Sequence, residues 1–142
     1  MHITQNYYKM KKFLLTITLL LNVFFVFSQD IIMQTTTVSQ CGGVFYDSGG
    51  SAGNYANDES FILTICPDTP GQQVQLDFVA FSTQNGTDEM TIYDGDSTAA
   101  NAFGTFSGGG ASANPGFVSA TPNNPTGCLT IEFTSDASAN TT

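Results

Sequence analysis

The strongest constraint on what this chain can become is an alternation with period two. In residues 128–135, CLTIEFTS, the apolar Leu129, Ile131 and Phe133 fall on one side, and Thr130, Glu132 and Thr134 on the other. Successive strand side chains point to opposite faces, so this is the pattern of a strand with one face buried. Residues 73–81, QVQLDFVAF, repeat it: Val74, Leu76, Phe78 and Ala80 alternate with Gln73, Gln75, Asp77 and Val79. The pattern slips at Val79 and Phe81, for which a bulge or burial of both faces would account. Residues 61–66 are apolar on both faces, as a central sandwich strand is, and residues 89–93 form a shorter strand ended by Asp94-Gly95. No amphipathic helical pattern follows Ser28, and the class is all-β.

Between these strands, residues 48–57 (SGGSAGNYAN) and 107–114 (SGGGASAN) are loops of glycine and small polar side chains. Neither has the strand–loop–helix context or the lysine of a phosphate-binding loop. No segment repeats at a fixed period.

Charge narrows the function further. Of 142 residues, only Lys9, Lys11 and Lys12 are basic, and His2 is the one histidine, against 12 Asp and Glu. All four stand before or at the start of an apolar run of 15 residues, 13–27, FLLTITLLLNVFFVF. A membrane-spanning helix needs about 18–20 apolar residues, and no basic flank follows this one. Residues 1–28 are therefore expected to be a signal peptide, with Val26 and Ser28 at −3 and −1 of a cut before Gln29, and no cysteine there for lipid attachment. Cleavage leaves 114 residues, room for one domain, with a formal charge of −12 against −9 for the whole chain. A secreted product without a cation binds neither a phosphate backbone nor an anionic membrane. It also lacks a histidine or lysine general base.

Three cysteines in an exported chain suggest a disulfide and one odd thiol. Cys41 and Cys66 lie 25 residues apart, and joining them would stabilise the fold by about 3 kcal/mol in the chain-entropy model. Cys128 is then left over, either buried in the sheet or, the favoured reading, paired with a cysteine beyond Thr142.

Cys41-Gly42-Gly43, Cys66, Leu76-x-Phe78-x-x-Phe81, Asp88-x-Met90-x-Ile92-Tyr93-Asp94-Gly95 and Leu129-x-Ile131-x-Phe133-Thr134-Ser135-Asp136 together resemble the CUB domain in order and spacing. The resemblance implies a jelly-roll β-sandwich of two antiparallel sheets, used outside the cell as a binding module and often set beside a peptidase. It places a short lead at 29–40 and the domain at 41–142, without the last strand that CUB domains carry. A Pro-x-x-Tyr-Pro segment, a tryptophan after the second cysteine and the second disulfide of animal members are absent. These departures, with the Phe-Ser-Gln cut site, look like secreted proteins of Bacteroidetes-type bacteria.

Many CUB domains bind calcium at one end of the sandwich, and the positions that match their ligands hold Gln84, Asp88 and Asp136. Calcium takes six to eight oxygens, amide oxygens among them, so Gln84 can stand in for an acid. Tyr55 and Glu59 lie in the segment facing this end in the family, and Glu59 is a candidate for the missing carboxylate. Asp88 and Asp136 have no ion-pair partner in the mature chain, and like charges brought together need a proton, solvent or a cation. The competing reading makes both aspartates turn caps whose oxygens accept local backbone N–H groups. Asp94-Gly95-Asp96-Ser97 lacks the EF-hand pattern and is expected to be a turn, as is Asp47-Ser48-Gly49-Gly50. The sequons at Asn85 and Asn140 matter only in a glycosylating host.

Catalysis would have to use carboxylates alone, as glycoside hydrolysis does with two acids across a cleft. Asp88 and Glu89 are adjacent and would point to opposite faces of a strand. Zinc is excluded by the cysteine spacing and the missing histidine. The expectation is a secreted, non-catalytic, calcium-dependent module that binds a protein or glycan through Tyr55, Asp88 and Asp136, a lysine of a protein ligand meeting the acids. The alternatives are an accessory domain of a secreted peptidase or adhesin, and a purely structural surface module.

Overall fold

The alternating segment near the C-terminus becomes the central strand of the molecule. The computed structural model describes residues 29–138; the apolar run at 13–27, its charged flank and Asn140 lie outside the described residues. Nine strands follow one another: β1 (Ile31–Ile32), β2 (Thr36–Ser39), β3 (Phe45–Tyr46), β4 (Ser60–Cys66), β5 (Gln75–Asp77), β6 (Glu89–Tyr93), β7 (Ala102–Phe106), β8 (Phe117–Ser119) and β9 (Leu129–Thr134). The only helical element among the described residues is a 3-10 turn at Gly50–Ala52.

Five strands form the main sheet in the order β2-β4-β9-β6-β7. β9 pairs antiparallel with both β4 and β6, Leu63 and Ile92 both standing opposite Ile131. Two small sheets, β1-β3 and β5-β8, supply the facing residues. The β-sandwich expected from the sequence is thus present. Its core joins Leu63, Ile65, Ile92, Leu129, Ile131 and Phe133 of the main sheet to Ile31, Met33, Val74, Val118 and Ala120 of the facing segments. Leu63, Ile92, Leu129 and Ile131 are fully buried, each removal from water contributing roughly 1.5–3 kcal/mol.

The outer face of the main sheet is polar but not all wet. Thr130 is fully buried there, sharing a hydrogen bond with Thr64 at 3.0 Å and donating to the Gly95 carbonyl at 2.9 Å. The loop after β6 therefore lies over this face. It can do so only with glycine at 95, where an added Cβ would stand 2.5 Å from that of Ala100.

Three expectations are corrected. The disulfide is Cys66–Cys128, not Cys41–Cys66, and Cys41 is a free, exposed thiol. The cause is register: Ile65 faces Leu129 across the β4–β9 ladder, which sets the next residues, Cys66 and Cys128, opposite each other. Cys128 consequently needs no partner beyond Thr142. The bond closes a separation of 62 residues, worth about 4 kcal/mol in the chain-entropy model.

Residues 29–40 are not merely a lead. β2 pairs in parallel with β4, Thr36 opposite Leu63 and Ser39 opposite Cys66, while Ile31 and Met33 enter the core. Finally, the 73–81 segment keeps its ladder only from Val74 to Phe78, around β5. The chain then leaves the sheet with Val79 92 % exposed; the broken alternation marks a departure from pairing, not a bulge or two-sided burial. Asn114 closes this end, its side-chain amide donating to the Phe78 carbonyl at 2.9 Å.

Candidate functional site

β6 carries an aspartate just before its first residue, and the sandwich closes over it. Asp88 has no exposed surface. Its carboxylate accepts the Tyr55 hydroxyl at Oδ2 (2.7 Å) and the Asp136 backbone N–H at Oδ1 (2.9 Å). The Tyr55 oxygen in turn accepts the Gln84 N–H at 3.1 Å. Tyr55 is held by an edge-on contact with Phe133, ring centroids 5.0 Å apart. The backbone completes the knot, Asp88 N–H reaching the Gln84 carbonyl at 3.1 Å and the Thr83 hydroxyl reaching the Asp88 carbonyl at 2.9 Å.

The segment after β9 is stitched to the segment before β4. Ser135 N–H donates to the Glu59 carbonyl and Asp58 N–H to the Asp136 carbonyl, while Glu59 N–H donates to the Ser135 hydroxyl. Pairing of β4 with β9 brings these ends together, and pairing of β6 with β9, Glu89 opposite Thr134, makes neighbours of Asp88 and Asp136, 48 positions apart. That proximity is what the sequence led one to expect.

The side chains differ from the expected ligand set. The Asp136 carboxylate turns onto its own chain, its Oδ1 accepting the Ser138 N–H at 2.7 Å and the Ser138 hydroxyl at 3.1 Å, which is the capping role of an aspartate at a strand end. Glu59 turns its Oε1 to the Ser48 hydroxyl and to the Ala56 N–H at 3.0 Å. Among the described residues, no three His, Cys, Asp or Glu side chains converge on one point as a metal-holding group. Two buried oxygens, however, accept nothing: Glu59 Oε2 and Gln84 Oε1. Such atoms cost about 1–3 kcal/mol each. Tyr55, 2 % exposed, and Asp88 offer no side chain to a partner; only Asp136 of the three expected contact residues is partly open to solvent.

At the other end of β6, Asp94 makes a turn, as expected, but also a junction the sequence did not announce. It accepts the Thr121 N–H (3.0 Å), the Thr121 hydroxyl (2.6 Å) and the Asn124 amide (2.9 Å). Burial raises its carboxyl pKa, but the bonds from Thr121 and Asn124 outweigh that, and the net shift is downward. Asp47 forms the expected turn, its Oδ1 accepting the Gly49 N–H at 2.8 Å. Desolvation there wins over three backbone N–H contacts and, helped by the charge of Glu59, pushes its carboxyl up.

A family model described as CUB domain matches residues 41–142. The chain belongs to the CUB domain family. CUB domains are generally non-catalytic modules that mediate protein interactions, typically outside the cell. A disulfide between β4 and β9 suits such a setting. No helix among the described residues is long and apolar enough to cross a membrane. A search of curated proteins gave no match.

Proposed function

We propose that this CUB domain is exported by its N-terminal 28 residues, in a Bacteroidetes-type bacterium, and binds an extracellular protein or glycan in a calcium-dependent manner without catalysing a reaction. The observation that supports the metal reading is the pair of buried, unsatisfied oxygens, Glu59 Oε2 and Gln84 Oε1, at the same end of the sandwich as the fully buried Asp88. The described residues hold 12 carboxylates and no Lys, Arg or His, so no side chain can supply the missing positive charge. Asp88, Asp136, Gln84 and Glu59 would have to turn toward one another to hold the ion, and would then offer only oxygen donors, the kind that a hard divalent cation takes.

Bound calcium would supply two positive charges that tie the 55–59, 83–88 and 135–138 segments together. In that arrangement Tyr55 and Asp88 stiffen the edge from within, and Asp136 with the flanking loops meets the partner. A basic side chain of a protein ligand suits this acidic edge.

Thermal melting of the full chain in calcium and in EDTA tests this. At about a hundred times its Kd, calcium is expected to stabilise the fold by about 2.7 kcal/mol, and Asp88→Asn is expected to abolish the difference. Identical melts of the parent in calcium and in EDTA would overturn the metal site.

A further inference from the structure

A cavity of about 700 Å³ opens beneath the segment that leaves the sheet after β5. Its walls are Phe45, Phe78 and Phe81, and its floor is Met33, Met90 and Phe133. Phe45 and Phe78 stand perpendicular with centroids 6.3 Å apart, so part of the lining is an edge-to-face aromatic pair. Gly110 and Ala111 also line the cavity; a Cβ added at Gly110 would meet nothing within 4 Å.

Apolar surface continues outside the cavity. Val79 is 92 % and Phe117 65 % exposed, and Phe117 stands opposite Asp77 on β8, beside the same segment. The backbone of Val79 and Ala80 pairs with no other described residue. An aromatic-walled slot next to backbone that bends at Val79 and leaves its N–H and C=O groups unpaired offers an incoming chain both a pocket and free hydrogen-bonding groups.

Charge chooses among occupants. Asp47 lies on the lining, with Glu59 close enough to raise its pKa and no cationic side chain among the described residues to offset either. An acidic ligand is repelled there, and an ammonium or guanidinium group is attracted.

We propose that this slot docks an extended peptide of a partner protein, a large apolar side chain entering the cavity and an adjacent lysine or arginine reaching Asp47. This rests on the binding-module reading above and gives it a partner chemistry, in a cavity that shares Tyr55, Thr83 and Phe133 with the Asp88 cluster but whose acid is Asp47.

The test is an NMR titration of the 15N-labelled full chain in EDTA with three peptides: Ac-Gln-Leu-Phe-Lys-Thr-NH2 and its analogues with norleucine or glutamate in place of lysine. The lysine peptide is expected to shift the amides of Asp47, Val79, Ala80 and Ala111. Asp47→Asn is expected to weaken it about tenfold, the loss of one charge-assisted contact, and to leave the norleucine peptide unchanged. Ala111→Trp, at an exposed wall position, is expected to weaken both. Absence of shifts at the slot, equal binding of the lysine and glutamate peptides, or an unaltered lysine peptide with Asp47→Asn would overturn the proposal. So would tighter binding of decyltrimethylammonium that leaves the Val79 and Ala80 amides unmoved, since the slot would then take an amphiphile. Because EDTA removes calcium, peptide binding without any calcium-dependent stabilisation would sink only the metal site. Calcium stabilisation without peptide binding would sink only the slot.

Discussion

The two ends of β6 carry an aspartate each, and they have been put to opposite uses. Asp94 is surrounded by donors: three hydrogen bonds from Thr121 and Asn124 hold its carboxylate, and its pKa is lowered despite burial. Asp88 is more deeply buried but has two donors, with buried Gln84 and Glu59 oxygens in the same end of the sandwich that accept nothing. One end is a finished joint between loops. The other has more acceptors than the polypeptide supplies donors for, and a deficit of positive charge is what a cation corrects. Burial alone therefore does not separate a saturated end of the strand from an unsaturated one; the balance of donors against acceptors does.

The largest effect should come from emptying the deeper end. Asp88→Ala leaves the Tyr55 hydroxyl and the Asp136 N–H without their acceptor and opens a void at a fully buried position, for an expected loss of about 3 kcal/mol in urea unfolding. Asp88→Asn, which keeps the shape and one acceptor oxygen, should lose about half of that. Equal losses for the two would mean that shape is not what matters at this end.

Removing the other carboxylate should cost less, because its donors are only partly buried and water can replace it. Asp94→Ala is expected to lose about 2 kcal/mol. Its pH behaviour has a definite sign. A carboxyl whose folded pKa is depressed contributes stability that is present above its unfolded value, 3.8, and that disappears as pH falls through the folded one. Acid titration of stability below about pH 4 should thus be shallower in Asp94→Asn than in the parent. Parallel curves would show that the Thr121 and Asn124 bonds do not favour the ionised form.

The smallest effect has the most diagnostic sign. Gln84→Met replaces a half-buried amide, whose Oε1 is buried without a donor, with a side chain of similar length that needs no partner, and should raise stability in EDTA by about 1 kcal/mol. The same change should weaken calcium binding. If Gln84→Met destabilises the calcium-free protein, its oxygen is satisfied in solution and the contrast between the two ends fails.

Much of the fold was legible because single-strand periodicity is local. Leu129, Ile131 and Phe133 needed no knowledge of their neighbours to be assigned to the core, and the strand at Glu89–Tyr93 announced its end with Asp94-Gly95. β1 and β2 were not legible: two and four residues are too few to show a period, and Thr36, Thr37 and Ser39 are polar enough to pass for a lead. The approach of Asp136 to Asp88 could be expected from the family resemblance. The turning of the Asp136 carboxylate onto Ser138 could not, because that depends on which donor lies nearer once the chain is folded.

By itself the sequence determined an all-β class and a stretch after Ser28 that lacks any cationic side chain, because strand periodicity and charge are properties of residues taken in order. Only the tertiary structure decided which cysteines join, which acids are saturated and where an apolar slot opens. Each of these is set by the register of β9 between β4 and β6. A shift of one residue there would turn Leu129, Ile131 and Phe133 out of the core, and hydrophobic burial, not any local motif, is what forbids it.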